Sequence, residues 1–190
     1  MTEKRKTTQE EQEARMNDSF YKQKAILASK WAVYGLLLLI CCILQSTPGF
    51  FQIMGIRPLL ILPIVIAVAS FEAPLAAGIF GACGGLLWDL TADRLFGFQG
   101  FLLLVYCVAV SLMIEYYLRL RLLNYFWMAL CVVLLHALID FYFYFSAWGY
   151  ENVWQIFLQR NLPVTACTAA VSPVFYGIVY AIQKKYSKYL

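Results

Sequence analysis

Charged residues are scarce in this 190-residue chain. Asp, Glu, Lys and Arg make up 14% of it, against about 25% in an average soluble domain. Apolar and aromatic residues of the group AVILMFWYC make up 62%. A soluble core of this length could not bury that much apolar surface. The composition therefore excludes an ordinary soluble domain and predicts an integral membrane protein.

The sequence also lacks the recurring motifs of enzymes and metal sites. It contains one histidine, His136, and no HExxH, no P-loop, no GxGxxG after a strand and no Ser/His/Asp set. The six cysteines all fall in apolar runs without a CxxC spacing, where a thiol behaves as a small hydrophobe. We expect no catalytic residue, no metal, no cofactor and no structural disulfide, hence a protein that is not an enzyme.

Six apolar runs follow a polar N-terminal segment. A transmembrane helix needs roughly 20 apolar residues, and the predicted fold class is an all-α membrane protein, a bundle of about six transmembrane helices within residues 25–183. Residues 1–24 form a polar cytoplasmic tail, expected to be disordered or a surface helix, and residues 184–190 a basic C-terminus. The predicted spans are 25–46, 58–71, 74–90, 98–116, 122–147 and 156–182.

The distribution of basic residues predicts the topology. Lys and Arg accumulate in cytoplasmic loops. With a cytoplasmic N-terminus and six crossings, only Arg57, Arg94 and Arg160 of the fifteen Lys and Arg residues fall outside. We therefore expect both termini in the cytoplasm, and we interpret the net charge of +4 as a topology signal rather than a nucleic-acid interface. Lys30 is expected to snorkel to the headgroups.

The second run is short and contains Pro63, which is expected to interrupt its hydrogen-bond ladder. It and the third run could cross the bilayer, or form a re-entrant pair that enters and leaves from the outer face. We favour crossing, because a re-entrant turn would bury the lone carboxylate of Glu72 at depth.

Small residues recur every four positions around the third helix, at Ala73, Ala77, Gly81 and Gly85. Such a face allows close backbone approach between membrane helices. The spacing is typical of tight packing within the chain's own bundle, and the alternative is a docking surface for a partner's transmembrane helix.

Two sites carry acids in or near apolar runs. His136 and Asp140 lie at i and i+4 on one face of the fifth helix. We interpret them as a pair that hydrogen-bonds between helices and fixes packing; the alternatives are a metal site or a proton relay in an ion-coupled transporter. Asp89 lies near the end of the third helix, where it pairs with Arg94 in the headgroup region, faces water, or belongs to a motif with a specific role.

Four segments together resemble the core signature of the MreD family of rod shape-determining proteins: residues 57–63 (ArgProLeuLeuIleLeuPro), 74–81, 84–90 (GlyGlyLeuLeuTrpAspLeu) and 97–101. The resemblance implies a non-enzymatic scaffold of the cell-wall elongation complex in the bacterial inner membrane. Its implied partners are the bitopic protein MreC, the filament protein MreB, a peptidoglycan glycosyltransferase and transpeptidase, and membrane lipid. The implied fold is similar to substrate-binding subunits of vitamin transporters.

That similarity supplies a second hypothesis, a substrate-binding membrane subunit of a vitamin or other small-molecule transporter. Ala28 and Ala32 form an AxxxA in the first helix, a spacing that such subunits use to contact their transport partner.

Overall fold

The computed structural model describes the backbone of residues 2–47, 58–91, 95–144 and 157–188, and the side chains of 20–47, 58–91, 95–143, 157–158 and 161–188. Within these ranges the chain forms helices joined by turns, without a strand, which confirms the all-α fold class. A π-helical turn, Phe157–Asn161, leads directly into the last helix. The α-helices are α1 (Thr2–Ser46), α2 (Ile61–Ala69), α3 (Pro74–Thr91), α4 (Phe98–Tyr116), α5 (Leu122–Tyr144) and α6 (Leu162–Tyr186).

Five of these helices are long and apolar enough to cross a membrane: the Phe20–Ser46 part of α1, and α3, α4, α5 and α6. The exception is α2, with nine residues. At about 1.5 Å per residue it covers roughly half of a ~30 Å hydrocarbon layer. The predicted span 58–71 is therefore a short helix with non-helical flanks.

Contacts at its two ends show how the α2 segment runs. At the start of α2, the backbone N–H groups of Leu60 and Ile61 donate to Gln45 Oε1 near the end of α1, over 2.8 and 3.0 Å. After α2, Glu72 contacts Lys30 of α1. Residues 30 and 45 of a helix lie about 22 Å apart. The segment thus runs antiparallel to α1 over most of the apolar layer, which favours crossing over the re-entrant alternative.

α2 forms the centre of the bundle. All nine of its residues are buried, and it packs against each of the other five α-helices. A helix that is apolar on every side requires such a position. Pro63 lies in its first turn, where the backbone N–H of any residue has no partner within the helix. The expected interruption of the hydrogen-bond ladder is therefore wrong.

The polar N-terminal segment is helical from Thr2 onward and continuous with the membrane part of α1. The expectation for this tail was disorder or a surface helix, and its backbone in the structure is helical. The segment is rich in Glu, Lys, Gln and Arg, which have high helix propensity. Because the apolar part of α1 already forms a helix, the tail extends it without a new nucleation step.

Candidate functional site

The small-residue face of α3 is covered by α4. A Cβ placed on Gly81 would meet the Leu103 carbonyl oxygen and Cys107 Sγ, both at 2.7 Å, and one on Gly85 would meet the backbone of residues 99 and 100. Ala77 is buried, whereas Ala73 is exposed at the start of the face. The close approach predicted from the spacing is therefore made within the chain, and the buried part of this face is not available to a partner helix.

Asp89 caps the N-terminus of α4. Its Oδ2 accepts hydrogen bonds from the backbone N–H of Gly97 at 2.9 Å and Gly100 at 3.3 Å, and its Oδ1 accepts from Gln99 N–H at 3.3 Å. The residue at the N-cap position, Gly97, has no side chain to do this. A carboxylate is favoured there because the first amides of a helix are unpaired and carry partial positive charge.

Gly97 itself has a φ of 90°, a left-handed conformation that glycine adopts without strain. Together with the close contact of Gly85 on Gly100, the Asp89 cap joins residues 84–90 and 97–101 into one compact α3–α4 hairpin. The alternative ion-pair partner of Asp89, Arg94, lies outside the described residues.

A second set of polar and aromatic side chains joins α4 and α5 beside this hairpin. Gln99 Nε2 donates to Asp140 Oδ1 at 3.3 Å. The buried ring of His136 contacts the rings of Trp88, with centroids 5.3 Å apart, and Tyr106, with centroids 6.1 Å apart in a T-shaped arrangement. We call these five side chains the α4–α5 cluster. Asp140 thus makes an inter-helix hydrogen bond, and His136 makes inter-helix ring contacts.

A metal site at His136 and Asp140 would need at least one further ligand. Over the ranges that the structure describes, no group of three or more His, Cys, Asp or Glu side chains could hold a metal ion.

The opposite end of the bundle holds a buried ion pair. Lys30 Nζ lies 2.5 Å from Glu72 Oε1, with the two side chains 5% and 10% exposed. Lys30 therefore does not snorkel, and that expectation is wrong. A carboxylate at the end of the central segment is costly unless paired, so the nearest ammonium group turns inward to it.

Further polar groups complete this ion pair. The Tyr34 hydroxyl lies 3.3 Å from Glu72 Oε1 and 3.2 Å from Gln183 Oε1 of α6, and the Ser111 hydroxyl of α4 donates to the Glu72 carbonyl oxygen at 2.7 Å. We call these residues the Lys30–Glu72 network. It ties α1, α4 and α6 to the end of the α2 segment.

Sequence reasoning missed three of the polar side chains that fix the helices. Gln45 and Thr168 accept hydrogen bonds from backbone N–H groups at the start of α2. Thr168 accepts from Leu59 N–H at 3.0 Å, and Gln45 accepts from the next two residues. Gln99, fully buried, carries the contact to α5. The available signal was the presence of an amide or hydroxyl inside an apolar run, because a buried polar group needs a hydrogen-bond partner.

Comparison with known proteins returns no relative: no family model matches the sequence, and no curated protein and no solved structure match it. The MreD resemblance therefore rests on the sequence motifs themselves.

Proposed function

We propose that this chain is a non-enzymatic scaffold of the MreD type in the bacterial inner membrane, acting in the complex that elongates the cell wall. The observation that carries the proposal is the α3–α4 hairpin. The two segments most specific to the resemblance, residues 84–90 and 97–101, are joined through Asp89 and Gly85. The two segments thus have a shared structural role in this chain, the α3–α4 turn, which supports the proposal.

The two buried acids of the described chain hold helices in place, which suits a rigid scaffold. Asp89 holds the N-terminus of α4, and Glu72 holds Lys30 of α1. Both carboxylates are engaged in fixing helices, and buried polar contacts of this kind favour one helix arrangement over alternatives. A scaffold needs such a fixed surface more than it needs a reactive group.

The surface proposed for MreC is the open face of α1. Because the stripe on α3 is covered, a single transmembrane helix would pack on Ala28, Ala32 and Gly35. Ala28 and Ala32 are exposed, and a Cβ on Gly35 would meet nothing within 4 Å. Small residues let two membrane helices approach closely. The exposed Lys184 and Lys185 at the end of α6 would face MreB and anionic lipid.

Co-purification tests the proposal. The tagged chain, expressed in its host and extracted in a mild detergent, should recover the host's MreC. Ala32→Leu should reduce that recovery, because the added side chain holds the two backbones apart. Cys131→Leu, a small-to-large change at an exposed position of α5, is the matched control and should leave recovery unchanged.

Two results would count against this assignment. If the folded wild-type chain recovers no MreC from cells that contain it, the scaffold proposal fails. If MreC is recovered equally with Ala32→Leu and Cys131→Leu, the scaffold stands but the α1 surface is wrong.

The transporter-subunit hypothesis keeps one favourable observation, the exposure of both Ala28 and Ala32 on α1. A vitamin or similar small molecule retained through purification and identified by mass spectrometry would favour it over the scaffold.

A further inference from the structure

Two buried oxygen atoms of the α4–α5 cluster have no hydrogen-bond partner among the described residues, Gln99 Oε1 and Tyr106 Oη. Gln99 is 0% exposed and Tyr106 6% exposed. Buried polar atoms in folded proteins are almost always paired, and each exception requires an explanation such as a bound molecule. The scaffold role proposed above does not explain why these two oxygen atoms lack a partner.

The orientation of the Gln99 amide is set by its neighbour. Its Nε2 donates to Asp140 Oδ1 at 3.3 Å, and the reverse orientation would place two acceptor oxygens against each other. Oε1 is therefore directed away from that carboxylate oxygen, as an acceptor available to a donor.

The Tyr106 hydroxyl is directed toward the same region. Tyr106 follows Gln99 by seven residues, nearly two helical turns, and so lies on the same face of α4. Long side chains on a helix lean toward its N-terminus, which brings the hydroxyl toward Gln99. The antiparallel α5 closes the other side, with His136 against Tyr106 and Asp140 against Gln99.

The chemistry of this region favours a positively charged hydrogen-bond donor. The Gln99 amide oxygen and the Tyr106 hydroxyl oxygen have no partner among the described residues, and the Asp140 carboxylate beside Gln99 supplies negative charge. The cluster also contains the rings of Trp88 and Tyr106, and aromatic faces attract cations. The two unpaired atoms, Gln99 Oε1 and Tyr106 Oη, are both oxygens, which does not suit a thiophilic or multi-imidazole metal site.

We propose that the α4–α5 cluster binds the primary ammonium group of an amine, with Gln99 Oε1 and Tyr106 Oη accepting two of its three N–H bonds. The ammonium group has two possible sources, the headgroup of phosphatidylethanolamine or a free amine. The half-buried side chain of Asp140 and the Phe98–Phe143 ring pair, with centroids 4.9 Å apart, lie near the ends of their helices. The ends of membrane-spanning helices lie near the boundary between lipid and water, where both sources of an ammonium group are present.

Thermal unfolding of the full-length protein tests the proposal and separates the two sources. In nanodiscs, the melting temperature should be higher with phosphatidylethanolamine than with phosphatidylcholine, because the quaternary ammonium of the latter has no N–H to donate. In dodecylmaltoside without lipid, a rise on adding ethanolamine would identify a free amine as sufficient. If neither comparison shows a shift, the cluster does not bind an ammonium group and the proposal is overturned.

Two variants distinguish the site from a general effect of lipid. Tyr106→Phe removes a hydroxyl that makes no bond within the described bundle, so the variant should fold and melt like the wild type without amine. Losing an acceptor for a charged donor should weaken amine binding at least ~10-fold and remove most of the shift. Gln99→Leu should do the same.

Tyr125→Phe is the matched control. Its hydroxyl donates to the Pro63 carbonyl oxygen at 3.1 Å, away from the cluster, so this variant should lower the melting temperature and keep the amine-dependent shift. A shift that survives in both Tyr106→Phe and Gln99→Leu would overturn the proposal.

Discussion

Replacing Asp89 with alanine should destabilise the start of α4 more than any other single change of an acid on α3 or α4. The substitution removes three hydrogen bonds, to the N–H groups of Gly97, Gln99 and Gly100. Because the N-cap residue is a glycine without a capping bond of its own, no side chain at that position takes over. The three amides lose their acceptor at a buried position.

The lengths of the three bonds set the magnitude. The bond to Gly97 at 2.9 Å has an ideal length, whereas those to Gln99 and Gly100 at 3.3 Å are long for N–H···O. A hydrogen bond to a charged group contributes about 1.5–3 kcal/mol. One full bond and two weak ones give a loss of roughly 2–4 kcal/mol for Asp89→Ala. Asp89→Asn retains one acceptor oxygen and should lose about half of that.

The assay uses the protein's own cysteines. Cys107 is fully buried and Cys41 nearly so, so a thiol-reactive fluorogenic dye reports thermal unfolding in detergent. Asp89→Ala should lower the melting temperature by several degrees. In the same variant, amide hydrogen exchange at residues 97–101 should accelerate, because the cap that protects them is lost.

Glu115→Ala is the matched control, since Glu115 is an exposed acid on α4 and its removal should change neither measurement. An Asp89→Ala protein with the melting temperature and the exchange rates of the wild type would refute the capping role.

The remaining predictions concern the other end of the bundle and the glycines. Lys30→Met should lower the free energy of unfolding by about 3–5 kcal/mol, because it leaves the buried Glu72 carboxylate unpaired. Lys30→Met combined with Glu72→Met should recover most of that loss. The dye assay measures both variants, and a double variant whose loss of stability equals the sum of the two single losses would contradict the pairing. Gly85→Ala should destabilise the fold by about 1–3 kcal/mol, because the added methyl group would contact the α4 backbone. Gly35→Ala, in open space, should be neutral or stabilise the fold by up to about 1 kcal/mol. Equal changes in stability in the two variants would contradict the α3–α4 packing.

The sequence predicts the long apolar helices well. The predicted spans 74–90 and 98–116 differ from α3 and α4 by no more than one residue at either end. The starts of both helices are predicted well because each has a local signal of a helix N-terminus, a proline at the first position of α3 and a glycine just before α4. The span 156–182 is less close, because α6 continues through Lys184 and Lys185 to Tyr186, and hydropathy underestimates a helix whose last turn lies in a polar interface.

The short central helix was harder to predict. Hydropathy identifies an apolar run at 58–71 but does not show that the regular helix is only Ile61–Ala69. The residues just before it are not helical, and the backbone N–H groups of Leu59 and Leu60 there bond to side chains of distant helices, Thr168 and Gln45. Such contacts depend on the assembled bundle and leave no local sequence pattern.

The role of each polar residue in the apolar layer also depends on three-dimensional contacts. The spacing of His136 and Asp140 shows that they share a helix face, but not that the face meets Gln99 of α4. Lys30 lies near the start of an apolar run, so snorkelling was the local expectation, and only the position of Glu72 shows why it turns inward. For Asp89 a local signal existed, because a helix that begins with glycine at its N-cap needs an acceptor from elsewhere.

An even number of crossings places the chain's two ends on one side of the membrane, and the proposed scaffold requires this topology. Single cysteines introduced by Glu10→Cys and by Lys188→Cys, in a protein whose six native cysteines are replaced by alanine, can be labelled with a membrane-impermeant maleimide in intact cells and in inverted vesicles. Both positions should be protected in cells and labelled in inverted vesicles. Labelling of one position in cells and of the other only in inverted vesicles would contradict the even-pass bundle and, with it, the proposed scaffold.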